Sequence, residues 1–223
     1  MFDRLTSLIG NENLDKIKKN RVIVFGIGGV GGYVVEMLVR SGIESLSIVD
    51  DDIVEKSNMN RQIIALNSTL GLKKVDVMES RIQDLNPFVK LDKISTRLTP
   101  ENIASFNLEK YDYIVDAIDD VKAKVALIKY CLEKELRIIV STGTAKKLHP
   151  EYLSITTLDK TQNDPLARKL RSELKEYNTK KVTVLASTEK PLNIDKNTLG
   201  SSAFVPSTGG ILIASHIINE IIK

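Results

Sequence analysis

A glycine-rich turn after an apolar run is the feature that most restricts how this chain can fold. Residues 22–26 read VIVFG, and residues 27–32 continue as IGGVGG. A second apolar run, residues 45–49, leads directly into Asp50. Glycines in such a turn let the backbone approach a phosphate at a helix N-terminus, and an acid after the next strand suits a ribose hydroxyl. The pattern predicts a nucleotide-binding βαβ unit.

Strand-like and helix-like segments alternate through the first 145 residues. Apolar runs predict strands at residues 89–96, 113–116 and 137–141, and helical spacing predicts helices over residues 30–40, 71–86 and 122–134. Thr99, Pro100 and Glu101 form a typical helix start, with a cap followed by proline. Alternation of this kind indicates an α/β, Rossmann-like fold with a mainly parallel sheet and helices on both faces.

The pattern changes after Gly143. Two further strands, at residues 153–158 and 182–186, flank a predicted helix over residues 164–177, and residues 189–206 form a polar loop. A last helix is expected after Gly209 and Gly210. We therefore predict a mixed C-terminal extension of the sheet within one domain, residues 1–223. Its nucleotide-binding core covers about residues 20–145, and residues 146–223 form a substrate-side segment.

Composition narrows the class of protein further. The 223 residues, 42% of them hydrophobic, are enough for one well-filled domain but short for two. One cysteine, Cys131, excludes a disulfide within the chain and a thiolate zinc site, and its apolar surroundings predict burial. The start of the chain has no signal pattern, and the apolar residues 211–222 are too few to cross a bilayer. We expect a cytoplasmic protein without membrane insertion.

Residues 57–62, SNMNRQ, are unusual for a dinucleotide site. Asn60, Arg61 and Lys74 would bring an amide and two cations to the phosphates, which suits a triphosphate such as ATP. Asp119 follows a central strand, where ligands of open α/β sheets bind, and its carboxylate is suited to Mg²⁺. Asp116, at the end of that strand, is expected to be structural.

These elements together resemble the ubiquitin-activating-enzyme superfamily, which includes the ThiF- and MoeB-type adenylating enzymes. The resemblance rests on these positions: Gly26, Gly28, Gly29 and Gly31; Asp50 and Asp52; Asn58, Asn60, Arg61 and Gln62; Gly71 and Lys74; Asp116 and Asp119. It implies a single ThiF-like adenylating domain in which a carboxylate attacks the α-phosphate of ATP.

The same resemblance implies roles for individual residues. Asp50 would bind the ribose, Arg61 and Lys74 the phosphates, and Asp119 the Mg²⁺ ion. Arg4 matches an N-terminal arginine that reaches the phosphates of the partner subunit in relatives. A homodimer with shared sites is therefore implied.

Residues 162–171, QNDPLARKLR, are similar to those of the tRNA threonylcarbamoyladenosine dehydratases. This resemblance implies ATP-dependent activation of the carboxylate of threonylcarbamoyladenosine in tRNA, followed by cyclisation with net loss of water. Lys146, Lys147, Arg168 and Arg171 are candidate contacts to tRNA phosphates, since clustered cations neutralise phosphate charge. For Arg168 and Arg171, a solvated basic helix face stays open as the alternative.

Two other functions remain open at this point. An adenylating enzyme for a ubiquitin-like sulfur carrier protein would share the ATP site, although the chain lacks paired C-x-x-C zinc motifs. A sulfur-relay protein is a further candidate partner, yet residues 199–206, which match a cysteine-containing region of longer relatives, contain no cysteine. An NAD-binding module would leave Arg61, Lys74 and Asp119 without a role.

Overall fold

A computed structural model describes residues 1–192 and 200–223. Within these ranges it contains seven strands and seven α-helices. The strands are β1 (Arg21–Phe25), β2 (Ser45–Val49), β3 (Lys90–Ile94), β4 (Tyr113–Asp116), β5 (Ile138–Ser141), β6 (Leu153–Thr157) and β7 (Thr183–Ser187). The helices are α1 (Asp3–Ile9), α2 (Asn11–Lys19), α3 (Gly31–Arg40), α4 (Lys74–Leu85), α5 (Val121–Glu133), α6 (Pro165–Glu173) and α7 (Phe204–Ile222).

The strands form one sheet in the order β3-β2-β1-β4-β5-β7-β6. Every neighbouring pair is parallel except β6 and β7, which pair antiparallel at the edge. The prediction of an α/β, mainly parallel sheet with a mixed C-terminal extension is confirmed. The chain adds β2 and β3 on one side of β1 and then adds β4 and β5 on the other side. This change in the order of strands between β1 and β4 opens a crevice at the carboxyl ends of the strands.

The sheet separates two apolar cores. In β1, Val22 and Val24 face the core that contains α2, α3, α4 and α7, whereas Ile23 and Phe25 face the core that contains α5 and α6. Side chains of a strand alternate between faces, so a strand buried on both sides reads as the continuous apolar run seen in the sequence. Cys131 belongs to the second core, as predicted, and burial raises the pKa of its thiol to about 12.

Several predicted helices differ from those of the structure, and one of them, α6, ends at Glu173 rather than at residue 177. Helix α4 begins at Lys74, because Gly71 takes a left-handed conformation (φ 80°) and Lys73 pairs with Ile53 in a short bridge. The α-helix predicted to start at Thr99 does not form. Instead, Asn102 Oδ1 accepts a hydrogen bond from the Thr99 amide and Asn102 Nδ2 donates to the Arg97 carbonyl, which closes a tight turn.

Helix α7 begins at Phe204, so Gly209 and Gly210 lie inside it rather than before it. A Cβ on Gly210 would come within 2.4 Å of the Val30 carbonyl oxygen at the start of α3. Gly210 therefore allows α7 to pack closely against the start of α3, and a local sequence pattern does not reveal such a contact. Of the predicted polar loop, residues 193–199 lie outside the described residues.

Helix α7 is longer than the apolar segment that the sequence indicated. Its 19 residues are long and apolar enough, by length and composition alone, to cross a bilayer, whereas the sequence pattern indicated only residues 211–222. In the structure its buried residues, including Ile213 and Ile217, belong to the core that α3 shares. A helix with this packing is a core helix of an α/β domain.

Candidate nucleotide site

A cleft of about 790 Å³ lies at the carboxyl edge of the parallel strands. The loops that follow β1, β2, β3, β4 and β5 supply its walls. Its lining includes nearly all of the predicted nucleotide-site positions: Gly26, Gly28, Gly29, Asp50, Asp52, Arg61, Lys74 and Asp119. Asn58 and Gln62, which flank Asn60 and Arg61 in the sequence, line it as well.

The glycine turn is shaped by close backbone approaches. Gly26 has φ 83°, and a Cβ there would lie 2.7 Å from the Ala117 carbonyl oxygen beyond β4. A Cβ on Gly31 would lie only 1.8 Å from the Gly26 carbonyl oxygen, so no larger residue fits. A Cβ on Gly28 would have the Gln62 side-chain amide nitrogen as its nearest neighbour, 3.8 Å away, so this position is open to the cleft. Gly26 and Gly31 thus form the turn, while Gly28 leaves room for a ligand.

Asp50 ties the glycine turn to the end of β2. Its Oδ2 accepts a hydrogen bond from the Ile27 amide at 2.7 Å, and its Oδ1 accepts one from the Asp52 amide at 2.9 Å. Burial raises the pKa of the Asp50 carboxyl, an effect that the Lys74 charge and the two amides partly offset. A carboxylate held in this way at a strand end is suited to accept hydrogen bonds from ribose hydroxyls.

Lys74 is buried rather than solvated, with a residue exposure of 5%. Its Nζ lies 2.7 Å from Asp52 Oδ2 and 3.8 Å from Asp50 Oδ1. The carboxylates of Asp50, Asp51 and Asp52 lie close enough together to suggest a metal site. The Lys74 ammonium forms ion pairs with two of them, Asp50 and Asp52, so we describe this cluster as an ion-pair network.

Asn60 and Arg61 act as a unit at the rim of the cleft. Arg61 Nη1 donates to the Ser57 carbonyl and to Asn60 Oδ1, both at 2.8 Å. Asn60 Nδ2 donates in turn to the Ser201 carbonyl at 2.9 Å. The amide thus orients the guanidinium and ties it to the segment that precedes α7. Among the described residues the other guanidinium nitrogens have no hydrogen-bond partner, so they can bind an anion such as phosphate.

Asp116, the last residue of β4, and Asp119, three residues beyond it, differ sharply in environment. Asp116 is fully buried and forms an ion pair with Lys124, whose Nζ lies 2.8 Å from Asp116 Oδ1 and also donates to the Ser141 carbonyl. Burial raises the pKa of the Asp116 carboxyl, and Lys124 counteracts this. Asp119 is exposed in the cleft and has no hydrogen bond or ion pair among the described residues. The first carboxylate is structural, as predicted, and the second is free to bind a ligand.

The candidate tRNA contacts do not form one surface. Lys146 lines the cleft, and Arg168 is exposed on α6. Lys147 is 2% exposed, so its assignment as a surface contact was wrong: the loop folds its side chain inward. Arg171 is also partly committed, because its Nη1 donates to the carbonyls of Leu158 and Thr161.

Arg4 lies exposed on α1 and does not line the cleft of its own chain.

Several cleft residues escaped the sequence analysis. Thr96, Arg97 and Leu98 follow β3, and Thr142 and Thr144 follow β5. Their positions after parallel strands were the available signal, although their residue types are unremarkable. Asp164 also lines the cleft, and its carboxylate caps α6 through the Ala167 amide and holds the Gly143 amide. The Asp-Pro pair at residues 164–165 is a recognisable helix start that could have indicated this role.

Comparison with known proteins agrees with this geometry. A model of the ThiF family matches residues 2–223. The tRNA threonylcarbamoyladenosine dehydratase of Bacillus subtilis is 35% identical, over 100% of this chain and 94% of the relative. The crystal structure of Escherichia coli tRNA N6-threonylcarbamoyladenosine dehydratase, TcdA, in complex with ATP superposes with a TM-score of 0.94 and 34% identity, over 99% of this chain and 93% of that one.

More distant relatives share only part of the chain. A sulfur carrier protein adenylyltransferase of Thermus thermophilus is 38% identical over 112 residues, which is 50% of this chain and 41% of that protein. The similarity to the dehydratases, in contrast, extends through α6 and α7. With the family model matching almost every residue and the glycine turn, Asp50 and Arg61 in one cleft, the chain belongs to the ThiF family.

Proposed function

We propose that this protein uses ATP to activate the carboxylate of threonylcarbamoyladenosine in tRNA, after which the activated carboxyl closes into a cyclic form with net loss of water. The observation that carries the proposal is a full-length match, at TM-score 0.94, to the ATP complex of TcdA, in a chain whose own cleft contains a nucleotide-binding constellation. No enzyme nucleophile is needed, because the attacking group belongs to the substrate.

In this proposal some residues of the cleft bind the nucleotide and others stabilise negative charge during the reaction. The open backbone at Gly28 and the first amides of α3 would hold the phosphates, and Asp50 the ribose. The substrate carboxylate attacks the α-phosphate, which forms an acyl-adenylate and releases pyrophosphate. Arg61 and Lys74 would stabilise the negative charge that accumulates in this step. Cyclisation then expels AMP from the activated carboxyl.

Mg²⁺ fits this cleft at Asp119. The carboxylate is exposed at the end of β4 and is not engaged by another described side chain. When bound, the ion would neutralise phosphate charge and orient the triphosphate.

We expect Asp119→Asn to lose Mg²⁺-dependent turnover by about a hundredfold, since the amide keeps the size but not the charge of the ligand. Initial rates measured over a range of Mg²⁺ concentrations would check this, with Asp84→Asn, at an exposed position of α4 outside the cleft, as the control of equal charge change. Unchanged Mg²⁺ dependence in Asp119→Asn would remove this residue from the site.

The tRNA side of the cleft is proposed to include Lys146 and Arg168, with Arg171 as a weaker candidate because its guanidinium is partly engaged within the protein. We also propose a cytoplasmic location and a homodimer in which Arg4 reaches the phosphates of the partner subunit. The exposure of Arg4 on α1 supports its availability for such a contact. A sulfur-relay partner has less support, since the chain's one cysteine is buried.

The test is mass analysis of the nucleosides from tRNA that contains threonylcarbamoyladenosine, after incubation with the protein, ATP and Mg²⁺. We expect a nucleoside that is lighter than threonylcarbamoyladenosine by one water molecule and that forms only with ATP. Incubation with NAD instead of ATP is the control for nucleotide choice. An unchanged nucleoside despite intact ATP binding would contradict the proposal and favour adenylation of a sulfur carrier protein.

A further inference from the structure

Three exposed rings, those of His149, Tyr152 and Phe204, have no role in the nucleotide site. The exposed fraction is 49% for Tyr152 and 62% for Phe204. His149 is exposed as well, and its ring meets that of Tyr152 edge to face, with 5.6 Å between the ring centroids. In the described part of the chain, Phe88 is the one other exposed phenylalanine or tyrosine. Aromatic side chains bury a large area when they bind, so exposed rings are candidates for contact with a partner.

The pairing of the strands places Tyr152 at the edge of the sheet where the cleft lies. Ser187 is the last residue of β7, which runs parallel to β5, so it lies at the carboxyl edge together with Ser141. Leu153, the first residue of β6, pairs with Ser187, and Tyr152 directly precedes it. Strand β6 lies two strands from β5, a distance of about 10 Å at the usual spacing. The residues that follow β5 line the cleft, so Tyr152 lies beside its mouth.

A hydrogen bond joins the segment that carries His149 to the segment that carries Phe204. The Ser202 hydroxyl donates to the Lys147 carbonyl at 3.2 Å, and each ring follows two residues after one of these partners. Pro206, in the first turn of α7, lines the cleft beside the glycine turn. Phe204 therefore begins α7 at the cleft, and the three rings lie on the side formed by the loop after β5 and the start of α7.

The backbone that carries His149 and Tyr152 is held in place. The two oxygens of Glu189 accept hydrogen bonds from the amides of Leu148 and His149, each at 3.1 Å. The Tyr152 carbonyl accepts one from the Thr188 amide at 3.1 Å. Both rings are thus presented on an ordered backbone, which lowers the entropy cost of binding a partner.

Unpaired bases of RNA are the partner that fits this surface. Bases of single-stranded RNA stack on aromatic side chains, and every base has a planar face for such a contact. Lys146 in the cleft wall and the exposed Lys190 supply positive charge for the phosphates. The nearby Glu151 carboxylate is engaged by His149 Nδ1 at 2.9 Å. If the carboxylate of the modified nucleoside reaches ATP inside the cleft, the nucleotides on either side of it must cross this rim.

We propose that His149, Tyr152 and Phe204 form an aromatic rim on which unpaired bases beside the modified nucleoside of the tRNA stack. The identity of the RNA rests on the proposed function. The rim binds bases through their planar faces, and it therefore differs from the cationic contacts proposed at Lys146 and Arg168.

The affinity of Tyr152 and Phe204 variants for tRNA that contains threonylcarbamoyladenosine tests the proposal. We expect Tyr152→Ala and Phe204→Ala each to raise the Kd for this tRNA about tenfold, because each removes a stacking ring. Tyr152→Phe keeps the ring and should bind within about twofold of wild type. Tyr152→Leu keeps much of the apolar area without the ring and should bind as weakly as Tyr152→Ala.

Phe88→Ala is the matched control. Phe88 is 79% exposed, but it precedes β3 and so lies at the opposite edge of the sheet from the cleft. This variant should bind tRNA like wild type. The Kd for ATP should stay within about twofold in every variant, because none of these rings lines the cleft.

A fluorescent purine analogue in the nucleotide next to the modified adenosine gives a readout that does not depend on turnover. Such a base loses emission when it stacks on an aromatic ring. At saturating protein, emission should fall with wild type and with Tyr152→Phe. It should fall much less with Tyr152→Leu.

The outcomes separate this proposal from the proposed function. If wild-type protein binds the tRNA but leaves the nucleoside unmodified, the proposed function fails, and the Kd series alone decides the role of the rim. Wild-type tRNA affinity in Tyr152→Ala and Phe204→Ala overturns the proposal, and so does wild-type affinity in Tyr152→Leu, which would indicate an apolar contact without stacking. Equal losses of ATP and tRNA affinity also overturn it, since they indicate a general loss of packing.

Discussion

Single residues of the cleft owe their properties to their neighbours. Lys74 begins α4, where a lysine would ordinarily be solvated, yet it is buried between Asp50 and Asp52. Arg61 depends in the same way on Asn60, which accepts one of its hydrogen bonds. The sequence placed these residues near one another in the chain, but their charges meet only because β1, β2 and the loop after β2 end at one edge of the sheet.

Arg61 should matter for turnover much more than for stability. We expect Arg61→Ala to lower turnover by about 10²- to 10³-fold, because it removes a donor aimed at developing charge. The free energy of unfolding should change by less than about 1 kcal/mol, since the side chain is only half-buried. Cyclisation rates and thermal melting measure the two effects. Arg61→Lys, which keeps the charge and loses the planar fork, should be intermediate. Full activity in the alanine variant would show that the assigned role is wrong.

Two glycines of the turn should respond differently to the same substitution. Gly31→Ala should lower the free energy of unfolding by about 3 kcal/mol, because its Cβ would meet the Gly26 carbonyl oxygen at 1.8 Å. Gly28→Ala has 3.8 Å of space and should keep the fold, but its methyl group would project into the proposed phosphate site and weaken ATP binding. Chemical denaturation and ATP titration of both variants check the contrast, and equal stability of the two would contradict it.

At the scale of elements, a buried carboxylate joins α3 to α4. Glu36 in α3 is 3% exposed and accepts hydrogen bonds from Arg81 of α4 at 2.7 and 3.2 Å and from Arg40 at 2.8 Å. Burial by itself would raise the pKa of the Glu36 carboxyl, but the two arginines outweigh it and hold the pKa below 4.5. The contact fixes the helix that carries Lys74 against the helix that follows the glycine turn.

This ion pair makes a prediction about pH. A carboxyl with a lowered folded-state pKa stabilises the protein above its ordinary pKa, and the effect disappears as pH falls through the folded-state value. Glu36→Gln should therefore lower the free energy of unfolding by about 2 kcal/mol at pH 7. The difference from wild type should shrink as pH falls below the ordinary glutamate value of 4.5 and through the lowered folded-state pKa, because the wild-type carboxyl then becomes protonated.

Urea denaturation at several pH values measures this difference. Glu12→Gln is the control, because Glu12 forms an exposed pair with Lys16 within α2 and should have little effect. A difference that stays constant down to pH 3 would show that Glu36 contributes by packing rather than by charge.

For the whole molecule, the proposed homodimer makes a prediction about sites shared between two chains. The cleft is complete in one chain for the glycine turn, Asp50, Arg61 and Lys74, but Arg4 lies outside it. If Arg4 serves the partner subunit, Arg4→Ala and Arg61→Ala should each inactivate the protein. Arg4→Ala removes a side chain from the partner's site, whereas Arg61→Ala removes one from the chain's own site. The two defects can then complement each other.

Mixing Arg4→Ala and Arg61→Ala protein should restore activity. In a mixed dimer, the chain with intact Arg61 receives Arg4 from its partner, so one of the two sites is complete. Random exchange of subunits would recover about a quarter of wild-type activity, whereas either variant alone stays low. Rates before and after subunit exchange measure this. No recovery, with dimers present, would contradict the shared site.

The amino-acid sequence by itself determined the parallel core, its antiparallel extension and the part of the cleft formed by the glycine turn, Asp50 and Arg61. These depend on local patterns: apolar runs that form buried strands, glycines that permit the turn at residues 26–31, and acids at strand ends. Asp50, Arg61 and Asp119 could be identified because parallel strands bring their carboxyl ends to one edge.

Only the tertiary structure decided the rest. It showed that Lys147 is buried, that Gly209 and Gly210 lie inside α7, and that Thr142, Thr144 and Asp164 line the cleft. Each of these features depends on contacts between segments far apart in the chain, such as α7 against α3 or the cap of α6 against the loop after β5. Such contacts have no local signature, because the same residue types would be solvated if the distant segment were absent.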